Sequence, residues 1–359
     1  MERAFNVADF EALAEAALDP GAFGYFAGGA GDERTLRENV AAYGRLRLRP
    51  RVLVDVGQTS AATTVLGTPV SMPLLVAPTA FHRVAHPDGE EGTARAAAGA
   101  GTIMCLSTLA TAGPAEVAAA APGAPRWFQL YIFRDRGITR ALADAAIGAG
   151  FSAIVLTVDA PRLGRRERDL RTAFRIPDEI LVPSVAAAEG GWRGATPLEA
   201  LSHIDPTLSW RDLEQLVSDC PIPVVVKGVQ TGEDAVLACE HGAAAVVVSN
   251  HGGRQLDDVA PTIELLPEIV AAVADRLEVL VDGGVRRGAD VVKALALGAR
   301  AVLIGRPVLW GLAAGGEAGV ARVLELLHDE IELALALVGC ATPAAVTGAH
   351  VAAALNHKG

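Results

Sequence analysis

The stretch that decides the fold is residues 243–258, with the sequence AAAVVVSNHGGRQLDD. It begins with alanines and three consecutive valines, a short β-branched run that is typical of a buried strand. It then changes abruptly to serine, asparagine, His251, two glycines and Arg254. This strand therefore ends in an imidazole and a guanidinium, and α/β proteins place their reactive groups at the carboxyl ends of strands. The alternative is a polar turn with a solvated histidine.

Seven further runs of this kind are spaced along the chain. With residues 245–250 they predict eight strands, the other seven at residues 74–78, 102–107, 127–131, 153–159, 223–227, 278–283 and 301–306. Between most of them lie segments with helical periodicity, such as residues 90–100 and 288–297. Because strands that alternate with helices pair in parallel through crossovers, eight such units predict an α/β fold closed into a TIM (β/α)8 barrel.

Polar side chains at the strand ends support the barrel independently. They are Thr79, Ser107, Gln129, Tyr131, Thr157, Asp159, Lys227, His251, Asp282 and Arg306. An open sheet would gather such groups around one switch point, whereas here nearly every strand contributes. We therefore expect the site at the carboxyl-terminal mouth of a barrel.

The remaining segments suggest one domain over residues 1–359. We expect an N-terminal helical extension at residues 1–70, the barrel at 71–310 and closing helices at 311–359. The interval after the fourth strand is much longer than the others, and its residues 178–209 are rich in proline and glycine. Long loops in compact domains are often lids, so this segment is predicted to be a mobile flap over the site.

Composition excludes several classes of function. The chain is 51% hydrophobic and 20% charged, which favours a large core over disorder. Its net charge of −11 argues against a nucleic-acid partner. Four cysteines without a CxxC pair indicate neither a zinc site nor a disulfide framework, and we expect no metal. Without a signal peptide or a long apolar run, we expect a cytoplasmic protein with no membrane contact.

Two glycine–arginine clusters follow the seventh and eighth strands, in VDGGVRRGAD and IGRP. Late strands of TIM barrels often hold phosphate through backbone N–H groups and a helix N-terminus. Gly284 permits close approach, and the guanidiniums of Arg286 and Arg306 can pair with an anion. The clusters predict a phosphate site; an interdomain salt bridge is the alternative.

Taken in order, motifs from residue 25 to residue 310 resemble the FMN-dependent α-hydroxy-acid oxidase and dehydrogenase family. They are YFAGGAGDERTLREN, APTA, AHPDGE, WFQLY, LTVDAPRLGRRERD, VVVKG, SNHGGRQLD and VDGGVRRGADVVKALALGA. The resemblance implies a TIM barrel that binds FMN, oxidises a 2-hydroxy acid and assembles as a homo-oligomer, a tetramer or octamer.

The resemblance also implies roles at the substrate. His251 would take the proton from the α-hydroxyl or the α-carbon of the substrate, Arg166 and Arg254 would hold its carboxylate, and Tyr25 and Tyr131 would donate hydrogen bonds to it. These roles fit the chemistry, because histidine titrates near neutral pH and a guanidinium binds a carboxylate through two hydrogen bonds. Oxidation also needs an electron acceptor, which no side chain provides.

Further roles follow from the same motifs. Asp159 would orient His251 and stabilise its imidazolium, and Lys227 would stabilise negative charge on the reduced flavin. The remaining cofactor contacts would come from Thr79, Ala80, Ser107, Gln129, Thr157, Ser249, Asp282, Gly284, Arg286, Gly305 and Arg306.

Several of these residues have plainer interpretations. Tyr25 could be a packing aromatic, and Lys227 could be a rim charge paired with Asp282. The choice of Arg166 over its neighbours Arg162, Arg165 and Arg168 depends on the family motif. His82, His86 and His241 lack such support and are interpreted as surface or structural residues.

One departure from the family bears on the substrate. Glycolate-oxidase-like members have a tryptophan at the position of Leu109, and leucine leaves apolar volume there. We expect an aryl 2-hydroxy acid, mandelate or 4-hydroxymandelate, with Phe81 as a second wall, and molecular oxygen as the acceptor that yields hydrogen peroxide. The alternatives are a small or aliphatic acid such as lactate or glycolate, a non-redox phosphate-binding lyase or isomerase, and a catalytically silent scaffold.

Overall fold

The computed structural model describes residues 4–183 and 202–353. Its strands are β1 (Leu46–Leu48), β2 (Thr63–Val65), β3 (Thr68–Val70), β4 (Leu74–Val76), β5 (Met104–Leu106), β6 (Arg126–Leu130), β7 (Ala153–Thr157), β8 (Val224–Val229), β9 (Ala245–Val248), β10 (Glu278–Asp282), β11 (Ala301–Ile304) and β12 (Val351–Ala353). Strands β4 to β11 occupy the eight predicted positions. Seven of them end one or two residues earlier than predicted, and β8 ends two residues later.

The helices alternate with these strands. They are α1 (Val7–Ala17), α2 (Pro20–Ala27), α3 (Arg34–Gly44), α4 (His82–Ala85), α5 (Gly89–Gly99), α6 (Pro114–Ala120), α7 (Arg136–Gly148), α8 (Glu167–Thr172), α9 (Trp210–Asp219), α10 (Gly232–Glu240), α11 (Thr262–Val273), α12 (Gly288–Ala296) and α13 (Arg306–Val338). Both helices predicted by periodicity are present as α5 and α12. Non-helical backbone at Gly315 and Gly316 kinks α13.

Strands β4 to β11 form a closed barrel in which each neighbouring pair is parallel and β11 pairs with β4. The predicted TIM barrel is confirmed. Its interior is filled by apolar side chains that alternate along the strands, including Leu75, Trp127, Val155 and Val247. Because the interior is packed, the site has to lie at one end of the barrel.

The N-terminal extension is helical only as far as Gly44. Strand β1 pairs antiparallel with β12 near the other end of the chain, and β2 and β3 form a hairpin. The hairpin closes the amino-terminal end of the barrel, where the backbone N–H of Leu66 donates to Glu278, the first residue of β10. Strands of three residues are too short to show an alternating pattern, so the expectation of a helical extension over residues 1–70 was wrong beyond Gly44.

The predicted flap lies only partly within the described residues. Its central part, residues 184–201, lies outside them, whereas Phe133 and Ile204 form an isolated antiparallel bridge. The flap's motion stays a prediction.

Candidate active site

A cavity opens at the carboxyl-terminal mouth of the barrel and encloses about 1040 Å³ including its open entrance. The predicted site residues that line it are Tyr25, Thr79, Ala80, Ser107, Leu109, Gln129, Tyr131, Thr157, Arg166, Lys227, His251, Arg254, Asp282, Gly284, Arg286, Gly305 and Arg306. They come from α2 and from segments after nearly every barrel strand. The parallel topology brings them together, since all eight carboxyl ends meet at this rim.

Three predicted residues lie behind the lining instead. Phe81 is fully buried, and its ring packs 5.7 Å from the ring of Tyr25. The expectation that Phe81 is a wall of the pocket was therefore wrong, because the aromatic residues that reach the cavity are Tyr25, Phe26 and Tyr131. Asp159 and Ser249 are also buried, and each acts on the cavity through a neighbour.

His251 and Asp159 form a hydrogen-bonded pair. The Nδ1 atom of His251 lies 2.8 Å from Oδ1 of Asp159. Burial lowers the pKa of His251 below its ordinary value, although the carboxylate opposes this shift. Burial alone would raise the pKa of Asp159, but His251 and Lys227 outweigh it and hold that pKa low. Near pH 7 the imidazole is thus neutral, with Nδ1–H donating to Asp159 and Nε2 left as a proton acceptor.

The turn that carries His251 is fixed by two buried amides. Asn39 on α3 and Asn250 exchange two hydrogen bonds of 2.9 Å, and the backbone N–H of Gly253 donates to Asn250 Oδ1 at 3.1 Å. His251 has a positive φ of 57°, a conformation that costs a non-glycine residue free energy. The amide pair holds this backbone in place. Sequence reasoning missed Asn39, because its partner lies 211 residues away.

A glycine in β8 makes room for Asp159. Gly228 has a φ of 113°, and a Cβ atom there would lie 2.7 Å from Cβ of Asp159. The pairing register of β8 with β9 shifts at this residue, between Lys227 and Val229. This irregularity allows the carboxylate to pass behind the rim toward His251.

Lys227 is held inside the cavity by a carboxylate and a hydroxyl. Its Nζ atom lies 3.0 Å from Oδ2 of Asp282 and 2.9 Å from Oγ of Ser249. Burial would lower the pKa of Lys227, but Asp282 and then Asp159 outweigh it and raise that pKa. The predicted pairing of Lys227 with Asp282 is confirmed. Both side chains are buried, however, and they line the cavity instead of an exposed rim.

Two guanidiniums meet on the same side of the cavity as His251. Arg254 lies over the ring of Tyr25, with its Cζ atom 4.8 Å from the ring centroid. Arg166 donates from Nε to the backbone carbonyl of Arg254 at 3.3 Å. Burial and the charge of Arg254 lower the pKa of Arg166 to about 10. Among residues 4–183 and 202–353, neither guanidinium has a carboxylate within 4.0 Å, so the pair is open to an anionic ligand.

The last turn of α2 positions two of the arginines. Arg254 donates to the carbonyls of Tyr25 and Gly28, and Arg306 donates to those of Phe26 and Gly28. Carbonyl oxygens at the end of a helix carry partial negative charge and lack intrahelical partners. They therefore fix both cations without neutralising them. Sequence reasoning used this glycine-rich segment as a family motif and missed that its backbone carbonyls hold the two arginines.

The part of the cavity lined by residues after β10 and β11 is suited to a phosphate. Gly305 precedes α13, whose N-terminus has no side-chain cap, and the neighbouring cavity-lining residues include Gly284, Arg286 and Arg306. Burial lowers the pKa of Arg286 and, together with Arg254, that of Arg306. A bound dianion would relieve this unbalanced positive charge. Glycine is required at position 284 for a second reason, because a Cβ atom there would clash with the backbone carbonyl of Asn39.

Two buried polar atoms indicate a heterocyclic ligand between these sites. Nε2 of Gln129 and Oδ1 of Asp282 are buried without a hydrogen-bond partner among the described residues. Burying such atoms unpaired costs about 1–3 kcal/mol each. Both residues line the cavity, so a ring with acceptors and a chain with hydroxyl groups would satisfy them. This donor and acceptor set fits FMN.

The histidines without family support behave differently from one another. His241 stacks on Trp210 and lies 2.8 Å from Glu214, and His86 lies 3.6 Å from Asp88. His82 is buried and binds the hydroxyl of Thr79. His86 and His241 are therefore structural, whereas His82 supports a residue of the cavity lining.

Within the described parts of the chain, no helix combines the length and apolar character that a bilayer crossing requires.

Known proteins resemble this chain over almost its whole length. A family model described as FMN-dependent dehydrogenase matches residues 14–353. L-lactate oxidase of Nostoc sp. is 52% identical over 344 residues, which cover 93% of this chain and 94% of that protein. Glycolate oxidase of Spinacia oleracea is 49% identical over 353 residues, 97% of this chain and 95% of that protein. A crystal structure of mandelate oxidase matches with a TM-score of 0.90 and 41% identity, covering 97% of this chain and 98% of that one.

These matches agree with the residues that line the cavity. An enzyme that oxidises a 2-hydroxy acid with FMN needs cations for the substrate carboxylate, a neutral base and a site for the FMN phosphate. The chain belongs to the FMN-dependent dehydrogenase family and is a 2-hydroxy-acid oxidase with FMN as its cofactor.

Proposed function

We propose that this oxidase acts on an aryl (S)-2-hydroxy acid, mandelate or 4-hydroxymandelate, and produces the 2-oxo acid and hydrogen peroxide. The substrate loses two electrons and two protons, and molecular oxygen takes up both. The observation that carries the proposal is the open guanidinium pair of Arg166 and Arg254 beside His251, in a cavity where Leu109 forms part of the apolar lining.

The substrate carboxylate would bind between Arg166 and Arg254. Tyr131 is buried, and burial raises the pKa of its hydroxyl, so it stays protonated and able to donate a hydrogen bond. Tyr25 is held by stacking on Phe174, with ring centroids 4.8 Å apart. Two cations and two phenols would thus fix the acid group and the adjacent hydroxyl of the substrate.

Proton removal would fall to His251. Its Nε2 atom would take the proton of the α-hydroxyl or the α-carbon, and Asp159 would stabilise the imidazolium that forms. Bound FMN supplies the electron acceptor that side chains lack. Lys227 would place a fixed positive charge beside the ring and favour its reduced form.

The residues that would hold FMN surround the cavity. The backbone at Thr79 and Ala80 would face the ring; the other contacts would come from Ser107, Gln129, Thr157, Asp282, Gly284, Arg286, Gly305 and Arg306. Ser249 would act indirectly, since its hydroxyl contacts Lys227 and accepts from the backbone N–H of His251.

The aryl preference depends on Leu109. This side chain lines the cavity where glycolate-oxidase-like members have a tryptophan, and Ala80 is also small. One of the similar solved structures is mandelate oxidase with benzoyl-formic acid, an aryl 2-oxo acid, at 41% identity. A small aliphatic acid is the second candidate, because the lactate and glycolate oxidases are 49–52% identical to this chain.

Other properties complete the proposal. We propose that the chain functions as one catalytic domain in a homo-oligomer, a tetramer or octamer, and that it acts in the cytoplasm.

Anaerobic reduction of the bound flavin tests substrate and acceptor together. We expect (S)-mandelate to bleach the yellow protein faster than glycolate or L-lactate at equal concentration, and air to restore the colour with one hydrogen peroxide per cycle. Glycolate turnover far above that of mandelate would contradict the aryl preference. Recovery only with an artificial acceptor would contradict the role of oxygen.

A further inference from the structure

A buried polar network lies directly behind Thr79, outside the chemistry described above. His82 on α4 is 1% exposed, and its two ring nitrogens both contact hydroxyls. Nε2 lies 2.6 Å from Oγ1 of Thr79, and Nδ1 lies 3.0 Å from Oγ1 of Thr93 on α5. Thr79 itself lines the cavity, so this ring connects the cavity lining to the outer helices.

The protons of this network can be assigned from its contacts. The hydroxyl of Thr93 lies 3.2 Å from the carbonyl of Gly89, which can only accept a hydrogen bond. If Thr93 donates to that carbonyl, its oxygen accepts from Nδ1–H of His82. Nε2 of a neutral ring then has a lone pair and accepts from the hydroxyl of Thr79. Burial lowers the pKa of His82, which favours this neutral ring although Glu90 opposes the shift.

A carboxyl group fixes the backbone beneath the ring. Glu90 on α5 is fully buried, and its Oε1 atom accepts from the backbone N–H of His82 at 3.1 Å and from that of Thr111 at 2.8 Å. The hydroxyl of Thr111 donates to the other oxygen. The His82 ring is therefore held from both its backbone and its edge, and its orientation is well defined.

We infer that His82 is a positioning residue of the flavin site, which fixes the hydroxyl of Thr79 as a donor to Nε2 and so leaves Thr79 only as an acceptor toward the cavity. This inference rests on the proposed function, in which the backbone of Thr79 faces the flavin ring, and it adds that the hydroxyl of Thr79 faces the ring as well. It assigns to His82 a part in setting the electronic properties of the cofactor, beyond packing.

The direction of the effect follows from the chemistry of the ring. Reduction of a flavin converts a ring nitrogen from an acceptor into an N–H donor. A neighbouring hydroxyl that can only accept stabilises such a donor and does not stabilise an acceptor. The fixed Thr79 hydroxyl therefore raises the midpoint potential of the bound flavin.

The proton assignment is measurable in the FMN-bound enzyme without turnover. Solid-state ¹⁵N spectra of histidine-labelled protein distinguish the two neutral tautomers, and the signal lost in His82→Gln identifies His82. We expect the Nδ1–H tautomer. The Nε2–H tautomer, or a charged ring at pH 7, would overturn the inference, because Thr79 would then be free to donate into the cavity.

Two matched variants test the consequence. Glutamine reaches the position of Nε2 and can still accept from Thr79, whereas asparagine reaches only the position of Nδ1. We expect His82→Asn to lower the midpoint potential of bound FMN and to weaken FMN binding severalfold in a fluorescence titration of the apoprotein. His82→Gln should stay close to the parent in both.

The outcomes separate the possible failures. Equal potentials in the parent, His82→Asn and Thr79→Val, with unchanged thermal stability, would overturn the role of His82. If His82→Asn fails to fold, Thr79→Val and the tautomer measurement still decide. A yellow enzyme that no 2-hydroxy acid reduces would contradict the proposed function but leave the tautomer and the potentials as valid tests of His82.

Discussion

The two ends of the barrel close the same eight strands with opposite kinds of side chain. At the amino-terminal end, Val65 and Val70 of the β2–β3 hairpin are buried against the apolar interior. At the carboxyl-terminal end, the cavity is lined by Lys227, His251 and four arginines, with Asp282 as their acidic neighbour. The hairpin end gains hydrophobic free energy, whereas the cavity end buries guanidiniums whose charge a bound anion would balance.

This difference shows that the amino-terminal end of the barrel contributes mainly to stability, whereas the carboxyl-terminal end holds the residues for chemistry. Cations held by helix carbonyls, as Arg254 and Arg306 are, cost folding free energy in the free protein. Such strain is tolerated where it serves binding. Changes at the cavity end should therefore alter rates, and changes at the hairpin end should alter stability.

The largest effect is expected at the proposed base. His251→Ala removes the proton acceptor while leaving the phosphate bed intact, so the protein should remain yellow. Reduction by (S)-mandelate should slow roughly 10²–10⁴-fold, as for the loss of a general base. Stopped-flow absorbance under anaerobic conditions measures this rate, and an unchanged rate would remove the assigned role.

The next effect is expected at the carboxylate clamp. Arg254→Lys keeps the positive charge but loses the planar guanidinium, which can donate to the carbonyls of α2 and to a substrate carboxylate at the same time. We expect kcat/KM to fall about 100-fold, which corresponds to about 3 kcal/mol. Arg162→Lys, at an exposed position on the same loop as Arg166, is the matched control and should retain the parent value. Equal effects of the two substitutions would argue against a clamp.

A smaller effect is expected at the substrate wall. Leu109→Trp fills apolar volume, which should shift discrimination between a ring and a small acid by about 1–3 kcal/mol. The ratio of kcat/KM for mandelate over that for glycolate should fall roughly 10–100-fold. A ratio that is unchanged or higher would show that Leu109 does not border the substrate.

A still smaller effect is expected in the pH dependence of kcat/KM. Because burial lowers the pKa of His251, its neutral form persists below the ordinary histidine value of about 6.5. The value of kcat/KM should rise with pH as His251 loses its proton and then level off. The apparent pKa of this acid limb should lie below the ordinary histidine value of about 6.5. An acid limb centred above 6.5 would indicate that Asp159 outweighs burial.

The smallest effect on catalysis is expected at the hairpin end. Val65→Ala removes two buried methylene equivalents and should lower the free energy of unfolding by about 2 kcal/mol. Flavin reduction should be unchanged at temperatures where the protein is folded. Thermal unfolding and stopped-flow reduction of the same preparation check both parts, and a slowed reduction would show that the two ends are coupled.

Sequence patterns predicted the barrel and most of the cavity lining for a physical reason. Buried parallel strands have β-branched runs, and the polar side chains after them necessarily converge at one rim. Pairings between distant segments leave no local pattern. The Asn39–Asn250 amide pair and the α2 carbonyls that hold Arg254 and Arg306 were therefore missed. The contact of His82 with Thr79 spans only three residues, but nothing in the sequence says that the imidazole turns inward to that hydroxyl. Phe81 was predicted to border the substrate, but it is buried against Tyr25, and this contact between distant segments leaves no local pattern either.

The most direct test of the central claim is a crystal structure of the enzyme with FMN and benzoylformate. We expect the phosphate between Gly284, Gly305 and Arg306, and the carboxylate of the 2-oxo acid between Arg166 and Arg254. His251 Nε2 should lie within hydrogen-bonding distance of the ligand's 2-oxo oxygen or face its C2 atom. A ligand carboxylate bound away from both guanidiniums, or a flavin bound outside this cavity, would contradict the account.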